Sequence, residues 1–420
     1  MLTVVQFTNT FAPMIGGIEK AVQRLHDDLS ASGHFNRVVA PAFRGADECE
    51  GGILRVPAIK GLTEKRFSLR IPSIRQVDHW MEAVQPDLLH AHQPFMLGDT
   101  AWRVSQQRNC PLVFTHHTLY ERYSDWPLID REHAAKLMLK ITTQYANRCN
   151  VCVAPTESIK ATMVDRGITT PIEVAPSGID LGPYRQTRPQ RFRERFGLPT
   201  DALVAGHLGR ISRAKNIHFL AEAVATLLTE NPAAWFLIVG EGEALAEALG
   251  TLRSAGVGDR VVSTGNLGGQ DVADAHSAMD VFLFASHTDT QGLVLAEAMA
   301  AGSAVVALDA PGARDCLDET CSVLLPSNAR PVDMASATGE LFADSARLSA
   351  LQAAAPGRAE TFEHTRCSRR MVGIYEAAVA AFNPEPPEAD SAWEQFLEGT
   401  EREFDLLLEK VNAARETFWG

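Results

Sequence analysis

The chain has 420 residues, of which 45% are hydrophobic and 22% are charged, and this composition is typical of a soluble globular protein with two or three domains. The formal net charge of −13 argues against general nucleic-acid binding, because such proteins present basic surfaces. No apolar run reaches the roughly 18 residues of a membrane helix, and the N-terminus lacks the basic residues of a signal peptide. We therefore expect a cytoplasmic location.

Strand-like apolar runs alternate with helical patterns from LTVVQFT onward, and this rhythm predicts parallel sheets with helices on both faces. A stretch rich in Pro, Gly and Arg, VAPSGIDLGPYRQTRPQRFRERFG, interrupts the alternation. A second alternating series follows it. We therefore predict an α/β fold of two doubly wound, Rossmann-like domains, residues 1–183 and 184–365, that face each other across a cleft.

The C-terminal part has a different pattern. We expect residues 366–383 to form a crossover helix that packs back on the first domain. Residues 384–420 hold ten acidic and three basic side chains, first in a Pro-rich linker and then in a helical segment. Positions 393–418 carry a coiled-coil-like seam that steps by four and three residues, so we expect an acidic helix and favour self-association through 391–418.

Cysteine usage indicates little redox or metal chemistry. Cys149 and Cys152 form a CxxC pair inside a strand-like stretch, and the second pair that a zinc ribbon needs is missing. Buried apolar thiols are the favoured interpretation over redox or metal binding.

Two short motifs could hold phosphate groups. Gly16 and Gly17 in GGIE follow the first strand and open a helix, where backbone amides favour an anion; a tight strand-to-helix turn is the alternative. Arg210 and Lys215 in GRISRAKN follow a strand of the second domain. Two cations at a strand's carboxyl end can neutralise a diphosphate, although an isolated R-x4-K is usually a solvated loop.

A third motif, TDTQGLVLAEAMAAG, follows the strand DVFLFAS. Its first half is predicted to be a loop and its second half a helix, so the donor-binding candidates Gln291, Gly292 and Leu293 lie near a helix N-terminus. Asp289 falls in the loop, and Glu297 lies more than one turn inside the helix, where it would suit a ribose. The alternative is a helix-capping Asp and an unrelated surface Glu.

Histidines mark two strand ends of the first domain. His116 and His117 begin THHTLYERY, and with Tyr120 and Tyr123 nearby they indicate a polar substrate site. A structural role is the alternative for at least one of them. His90 and His92 in LLHAH form a second polar strand end, and no carboxylate pattern follows them to support a metal site.

Together these motifs resemble those of the nucleotide-sugar-dependent glycosyltransferases of family 4, which have the GT-B fold. The resemblance covers about residues 1–382. It rests on GGIE, on PSGID at 176–180, on GRISRAKN, on FLIVGEGE and on TDTQGLVLAEAMAAG, which is similar to the family's E-x7-E element. The order and spacing of the set make the resemblance specific.

The resemblance implies a role for each candidate. Gly16 and Gly17 would leave room for the donor and offer amides to its diphosphate. Arg210 and Lys215 would stabilise the leaving diphosphate. It also implies retention of anomeric configuration and no obligatory divalent metal.

The same resemblance places three more side chains around the sugar and ribose. Glu297 would bind the ribose, Asp289 the transferred sugar, and His117 the sugar near the acceptor. One departure stands out, because Asp289 occupies a position where the family pattern has Glu and is one methylene shorter.

Lipid glycosyltransferases provide the nearest likeness for the acceptor side. QPFMLGDTA and VFTHHTLYERYSDW are most similar to enzymes that glycosylate diacylglycerol. Residues 60–75 carry five basic side chains and one acid among apolar residues. This composition suits docking on an anionic membrane surface, and a solvated helix or loop is the alternative. We expect transfer of glucose from UDP-glucose, rather than from a GDP-sugar, to a membrane lipid at the inner face of the membrane.

Three alternatives remain open at this point. The acceptor could be soluble or belong to polysaccharide synthesis. A nucleotide-sugar epimerase of the same architecture would need different acid and base residues. A non-catalytic sugar-nucleotide-binding protein would not need Arg210, Lys215 and Glu297 together.

Overall fold

The computed structural model describes residues 1–14, 16–43, 49–56, 58–59, 71–72, 74–122 and 131–384. Within these, the chain divides into two compact units. Unit 1 comprises Met1–Pro176 and the chain from Cys367 onward, and unit 2 comprises Ser177–Arg366. Most of the basic segment 60–75, Tyr123 and the heptad segment 391–418 lie outside the described residues.

Unit 1 is built on a largely parallel sheet, with order β10-β9-β8-β7-β1-β2-β4-β3 and only β3 antiparallel to its neighbour. The strands are β1 (Thr3–Phe7), β2 (Phe35–Pro41), β3 (Cys49–Glu50), β4 (Ile53–Val56), β5 (Ala58–Ile59), β6 (Ile71–Pro72), β7 (Leu88–Ala91), β8 (Leu112–Thr115), β9 (Val151–Ala154) and β10 (Ile172–Val174). The short β5 and β6 pair separately. The helices are α1 (Gly17–Ala31), α2 (Ile74–Glu82), α3 (Leu97–Arg108), α4 (Arg131–Arg148) and α5 (Glu157–Asp165).

Unit 2 is built on a six-stranded parallel sheet with order β13-β12-β11-β14-β15-β16. Its strands are β11 (Leu203–Leu208), β12 (Ala234–Val239), β13 (Val261–Ser263), β14 (Val281–Phe284), β15 (Ala304–Leu308) and β16 (Ser322–Leu325). Its helices are α6 (Pro189–Phe196), α7 (Ile217–Glu230), α8 (Leu245–Ser254), α9 (Gln270–Ser277), α10 (Leu293–Ala300), α11 (Pro311–Arg314), α12 (Pro331–Ala343) and α13 (Ser345–Ala359).

Both sheets are covered on both faces, which explains why their strands are almost continuously apolar. In unit 1, Val5 and Phe7 pack in one buried cluster, while Val4 packs in another on the opposite face. In unit 2 the strand order reverses between β11 and β14, the position where doubly wound sheets bind ligands beyond the carboxyl ends of their strands. The predicted α/β class with two doubly wound domains is confirmed.

The last described helix, α14 (His364–Ala381), packs on the unit 1 sheet. Its buried residues Met371, Ile374 and Tyr375 join Val4 and Leu88 in one apolar cluster. The same cluster includes residues of α1. No helix within residues 1–384, taken over the parts that are described, is long and apolar enough to cross a membrane.

The thiols of the CxxC pair are buried in unit 1. Cys149 donates to the carbonyl of Tyr145 at 3.3 Å, and Cys152 donates to that of Ala146 at 3.5 Å. Burial raises the pKa of the Cys152 thiol to about 12. Both therefore behave as protonated apolar side chains, as the favoured interpretation of the sequence has it.

Two segments at the start and end of unit 2 run side by side. Ile179 pairs with Glu363 in an isolated parallel bridge, the amide of Ile179 donates to Phe362, and the amide of His364 donates to Ile179. A side chain at Gly178 has no space, because its Cβ would lie 2.2 Å from the Cα of His364. These main-chain hydrogen bonds join the first and last segments of unit 2.

We predict that Gly178→Ala lowers the free energy of unfolding by about 1–3 kcal/mol, because the paired segment must move to admit a methyl group. Gly373→Ala is the matched control. It lies in α14, where an added methyl group would meet nothing within 4 Å, so it should be neutral or stabilising. Urea unfolding of both variants checks the prediction, and equal stabilities would contradict it.

Candidate active site

The candidate phosphate-binding residues of unit 2 lie where its central parallel strands end. Arg210 follows β11 and is exposed, and Lys215 closes a short 3-10 turn after it. Asp289 lies in the loop after β14. The structure brings two of them together, since Nζ of Lys215 donates to Oδ1 of Asp289 at 2.5 Å. Residues 74 positions apart thus form one charged pair.

The loop that carries Arg210 is fixed by the turn after β12. The amide of Ile211 donates to the carbonyl of Glu241, and the amide of Ala244 donates to that of Ile211, both at 3.0 Å. A Cβ at Gly242 would lie 2.0 Å from the Ile211 oxygen, so this approach requires glycine. The glycines of FLIVGEGE therefore position the loop between the two cations.

Asp289 keeps its charge although little of it is exposed. Burial alone would raise its pKa, but the charge and hydrogen bond of Lys215 outweigh burial and hold the pKa below its ordinary value. About a fifth of each side chain is accessible, 21% for Lys215 and 18% for Asp289. The pair is therefore desolvated enough to be strong and open enough to meet a ligand.

His207, which the sequence analysis did not single out, lies beside this pair. Its Nδ1 is 3.0 Å from the carbonyl of Leu283, an acceptor, so Nδ1 carries the proton and Nε2 is an acceptor. Burial, with the Lys215 charge adding to it, lowers the pKa of His207 to about 4. The sequence signal for His207 was its position as a polar residue in the apolar run ALVAGHLG.

The helix start predicted in TDTQGLVLAEAMAAG is confirmed. Gly292 has a φ of +64°, and α10 begins at Leu293. The loop is tightly packed, because a Cβ at Gly312 would lie 2.5 Å from the carbonyl oxygen of Asp289. The first amides of α10 are thus held next to the charged pair, where the helix dipole favours an anion.

Glu297 is buried inside α10, with 5% of its surface exposed. One carboxylate oxygen lies 4.0 Å from Nε2 of His276, which is fully buried. The alternative of an unrelated surface Glu is therefore wrong.

The side chain of Gln291 has a structural contact that the sequence did not indicate. Its Oε1 accepts from the amide of Ser177 at 2.8 Å, and its Nε2 donates to the Ser177 carbonyl at 2.7 Å. This paired contact ties the loop after β14 to the first residue of unit 2. The Gln291 side chain is therefore engaged within unit 2.

In unit 1, the Gly-rich motif forms the start of α1. Gly16 is the N-cap and Gly17 the first helical residue of a 15-residue helix. A Cβ at Gly17 would meet nothing within 4 Å, whereas one at Gly16 would meet the carboxylate of Glu19. The helix start that the sequence predicts at GGIE is present, and the Glu19 carboxylate lies at it.

His117 is half-buried beyond β8 and contacts His92, since their Nε2 and Nδ1 atoms are 2.9 Å apart. Burial lowers the pKa of His117 to about 4 and that of its fully buried neighbour His116 to about 3. His117 is therefore neutral at physiological pH and acts through hydrogen bonds, not charge.

Two protein-family models match the chain: Glycosyltransferase Family 4 over residues 15–182 and Glycosyl transferases group 1 over residues 202–344. The chain is therefore a glycosyltransferase of the GT-B fold, and its first part matches family 4.

Relatives with assigned activities differ in donor and acceptor. The α-monoglucosyldiacylglycerol synthase of Acholeplasma laidlawii is 28% identical over 313 residues, or 71% of this chain and 78% of that protein. A GDP-mannose-dependent α-mannosyltransferase of Corynebacterium glutamicum is 25% identical, with 82% of each chain covered.

Solved structures share the fold. Sucrose-phosphate synthase from Thermosynechococcus elongatus has a TM-score of 0.77 at 21% identity, covering 91% of this chain and all of that one. Anabaena HepE in complex with UDP-glucose has a TM-score of 0.72 at 18% identity, covering 90% of this chain and all of that one.

We predict that Lys215→Met lowers the free energy of unfolding by roughly 1–3 kcal/mol at neutral pH, because it leaves the Asp289 charge without its cation. Since Asp289 then ionises less readily, the penalty should shrink as the pH falls from neutral toward and below the ordinary Asp value of 3.8. Urea titrations at several pH values measure this.

The double variant Lys215→Met/Asp289→Asn is the control, because it removes the unpaired charge as well. It should be more stable than Lys215→Met at neutral pH. A penalty that is constant with pH, or that the second substitution does not relieve, would show that the pair carries no charge coupling.

Proposed function

We propose that this glycosyltransferase moves glucose from UDP-glucose to a membrane lipid such as diacylglycerol, with retention of anomeric configuration. The observation that carries the donor side is the Lys215–Asp289 pair, held beside the N-terminus of α10 at the carboxyl edge of a parallel sheet. This arrangement suits a sugar diphosphate, which has an anionic leaving group joined to a neutral hexose.

The chemistry follows from how charge moves during transfer. Breaking the bond between the sugar and the phosphate builds negative charge on the diphosphate and positive charge on the sugar ring. The negative charge on the diphosphate is proposed to be stabilised by two cations, Arg210 and Lys215, and by the amides of Gly292 and Leu293. Because these donors are fixed, they need no reorganisation during the reaction. The cations can supply this without a bound divalent metal.

The carboxylates are proposed to hold the donor rather than to transfer protons. Glu297 accepts from the ribose hydroxyls, in line with its buried position on α10. Asp289 is proposed to orient Lys215 through Oδ1 and to accept from a hydroxyl of the transferred sugar. The shorter Asp suits this double role, because its reach is already matched to Lys215.

In unit 1, Gly16 and Gly17 are proposed to admit the diphosphate at the start of α1, and His117 to accept from a hydroxyl near the acceptor. The role of His117 fits the proposed division into an acceptor-side first domain and a nucleotide-sugar-binding second domain. Gln291 contributes through its backbone and through the contact with Ser177.

The lipid acceptor is supported by the glucosyldiacylglycerol synthases among the relatives. The basic, apolar composition of residues 60–75 is consistent with docking at the inner face of a membrane. A soluble acceptor is the second candidate, since inositol-phosphate glycosyltransferases and mannosyltransferases match at similar identity.

We predict that Arg210→Ala and Lys215→Ala each lower kcat by about 10²-fold or more, because each removes a cation from the leaving group. Steady-state assays of UDP release in the presence of acceptor measure the effect. Arg213→Ala is a matched control in the same loop, since its side chain is 72% exposed and lies near Glu247. Wild-type turnover in both Arg210→Ala and Lys215→Ala would refute the assignment.

A donor and acceptor screen by mass spectrometry tests the substrates. The enzyme is incubated with UDP-glucose or GDP-mannose and with diacylglycerol in anionic or neutral vesicles. We expect a glucosyl lipid from UDP-glucose and faster formation on anionic vesicles. Lipid acceptors that stay inert, with product formed from a soluble acceptor regardless of vesicles, would reject the lipid proposal.

A further inference from the structure

Five polar side chains form a continuous chain of hydrogen bonds through unit 1. It runs from His117 to His92 at 2.9 Å, and from His92 to Gln6 at 2.9 Å. Gln6 donates to Asn36 at 3.3 Å, and Asn36 contacts His26 at 2.7 Å. The chain ends on the backbone, where Nε2 of His26 lies 3.1 Å from the carbonyl of Gly51.

The sheet topology brings these residues into line. His117 and His92 follow β8 and β7, Gln6 lies in β1 and Asn36 in β2, and these four strands are neighbours in the sheet. His26 joins the line from α1. Gln6, Asn36, His26 and His92 are each at least nine-tenths buried. Removal of one link therefore leaves a buried polar group without its partner, which costs free energy.

The terminal carbonyl gives the chain one direction. A carbonyl only accepts, so Nε2 of His26 carries its proton and Nδ1 accepts from the Asn36 amide. The Asn36 oxygen then accepts from the Gln6 amide, and the Gln6 oxygen accepts from Nε2 of His92. The only lone pair left on His92 is on Nδ1, so the neighbouring Nε2 of His117 must be the donor.

The chain has this direction when each imidazole carries a single ring proton. Burial lowers the pKa of His26, and burial together with the neighbouring imidazoles lowers that of His92 well below its ordinary value. Burial alone lowers the pKa of His117 to about 4. All three histidines are neutral at physiological pH, so each has one donor and one acceptor.

We propose that this chain fixes His117 in the tautomer protonated on Nε2, so that Nδ1 is a hydrogen-bond acceptor for a substrate hydroxyl. His92, Gln6, Asn36 and His26 are then positioning residues for the transfer reaction. The proposal rests on the proposed role of His117 near the acceptor. It identifies the hydroxyl partner as a donor of a hydrogen bond, not as an acceptor.

A second hydrogen-bonded group next to the chain provides a contrast. His90 contacts the hydroxyl of Tyr375 at 2.6 Å and that of Thr115 at 2.7 Å. A hydroxyl can donate or accept, so this group imposes no tautomer on His90. His90 lies on the same sheet, and its ring centroid is 4.1 Å from that of His92. The hydrogen bonds of His90 to Tyr375 and Thr115 nevertheless do not reach His117.

The test measures the ring nitrogens of His117 directly. The full-length enzyme is labelled with ¹⁵N-histidine, and two-bond ¹H–¹⁵N correlations distinguish protonated from unprotonated nitrogens. His117→Asn assigns the signal by its loss. In the wild-type enzyme we expect a single tautomer protonated on Nε2. A single tautomer protonated on Nδ1 would overturn the proposal without any other variant.

Two variants separate positioning from structural support. Gln6→Met removes the acceptor of His92 at nearly constant size, so we expect mixed tautomers of His117 and a loss in kcat/KM of about tenfold. Thr115→Val is the control, because it removes the hydrogen bond between Thr115 and His90 at a similar depth. It should leave the tautomer of His117 unchanged. If folded Gln6→Met keeps the wild-type tautomer, the inference fails.

The outcomes also distinguish this inference from the proposed function. If His117→Asn retains wild-type turnover while the tautomer is as stated, the role of His117 in transfer is refuted and the chain stands as a structural device. If His117→Asn loses turnover but Gln6→Met keeps both tautomer and kcat/KM, only the positioning chain is refuted. Should Gln6→Met fail to fold, Asn36→Leu breaks the next link for the same measurement.

Discussion

The constraint on which the structure depends is that all strands of a parallel sheet end at the same edge. Their backbone groups are bonded inside the sheet, so the residues just beyond the strand ends are the first that can contact a ligand. In unit 2 this places Lys215, after β11, against Asp289, after β14, although 74 residues separate them. The glycine-dependent contacts around Ile211 and Gly312 then fix the two loops that carry the pair.

The two candidate sites keep buried polar groups in different ways. Unit 2 keeps a charged pair, because Lys215 offsets the cost of burying the Asp289 carboxylate. Unit 1 keeps neutral imidazoles and amides, and each satisfies the next along the sheet. A leaving diphosphate needs charge to stabilise it, whereas a hydroxyl needs only a correctly oriented acceptor. Under the proposed function, the charged pair would meet the leaving diphosphate and the neutral chain would meet a hydroxyl.

Local patterns allowed much of this to be predicted. The strand–loop–helix rhythm indicated both sheets, and the loop TDTQG before LVLAEAMAAG indicated where α10 begins. The paired contact of Gln291 with Ser177 was not foreseen, because it joins residues 114 positions apart through a side chain.

Long-range register explains the other omissions. Gln6 and Asn36 look like isolated polar residues in apolar strands, and only the order β7-β1-β2 makes them neighbours. The buried position of Glu297 likewise depends on what covers α10, which its own sequence does not specify. Site residues that belong to one loop or one helix end were therefore predictable, and those defined by packing between distant strands were not.

The pairing at the two ends of unit 2 has a consequence for how the chain enters and leaves it. Ile179, Phe362 and His364 are joined through main-chain hydrogen bonds, which do not depend on side-chain identity. Gly178 stands in this pairing where a side chain would meet His364. The entry of the chain at Ser177 and its exit at Arg366 are therefore held together from within unit 2 by backbone contacts.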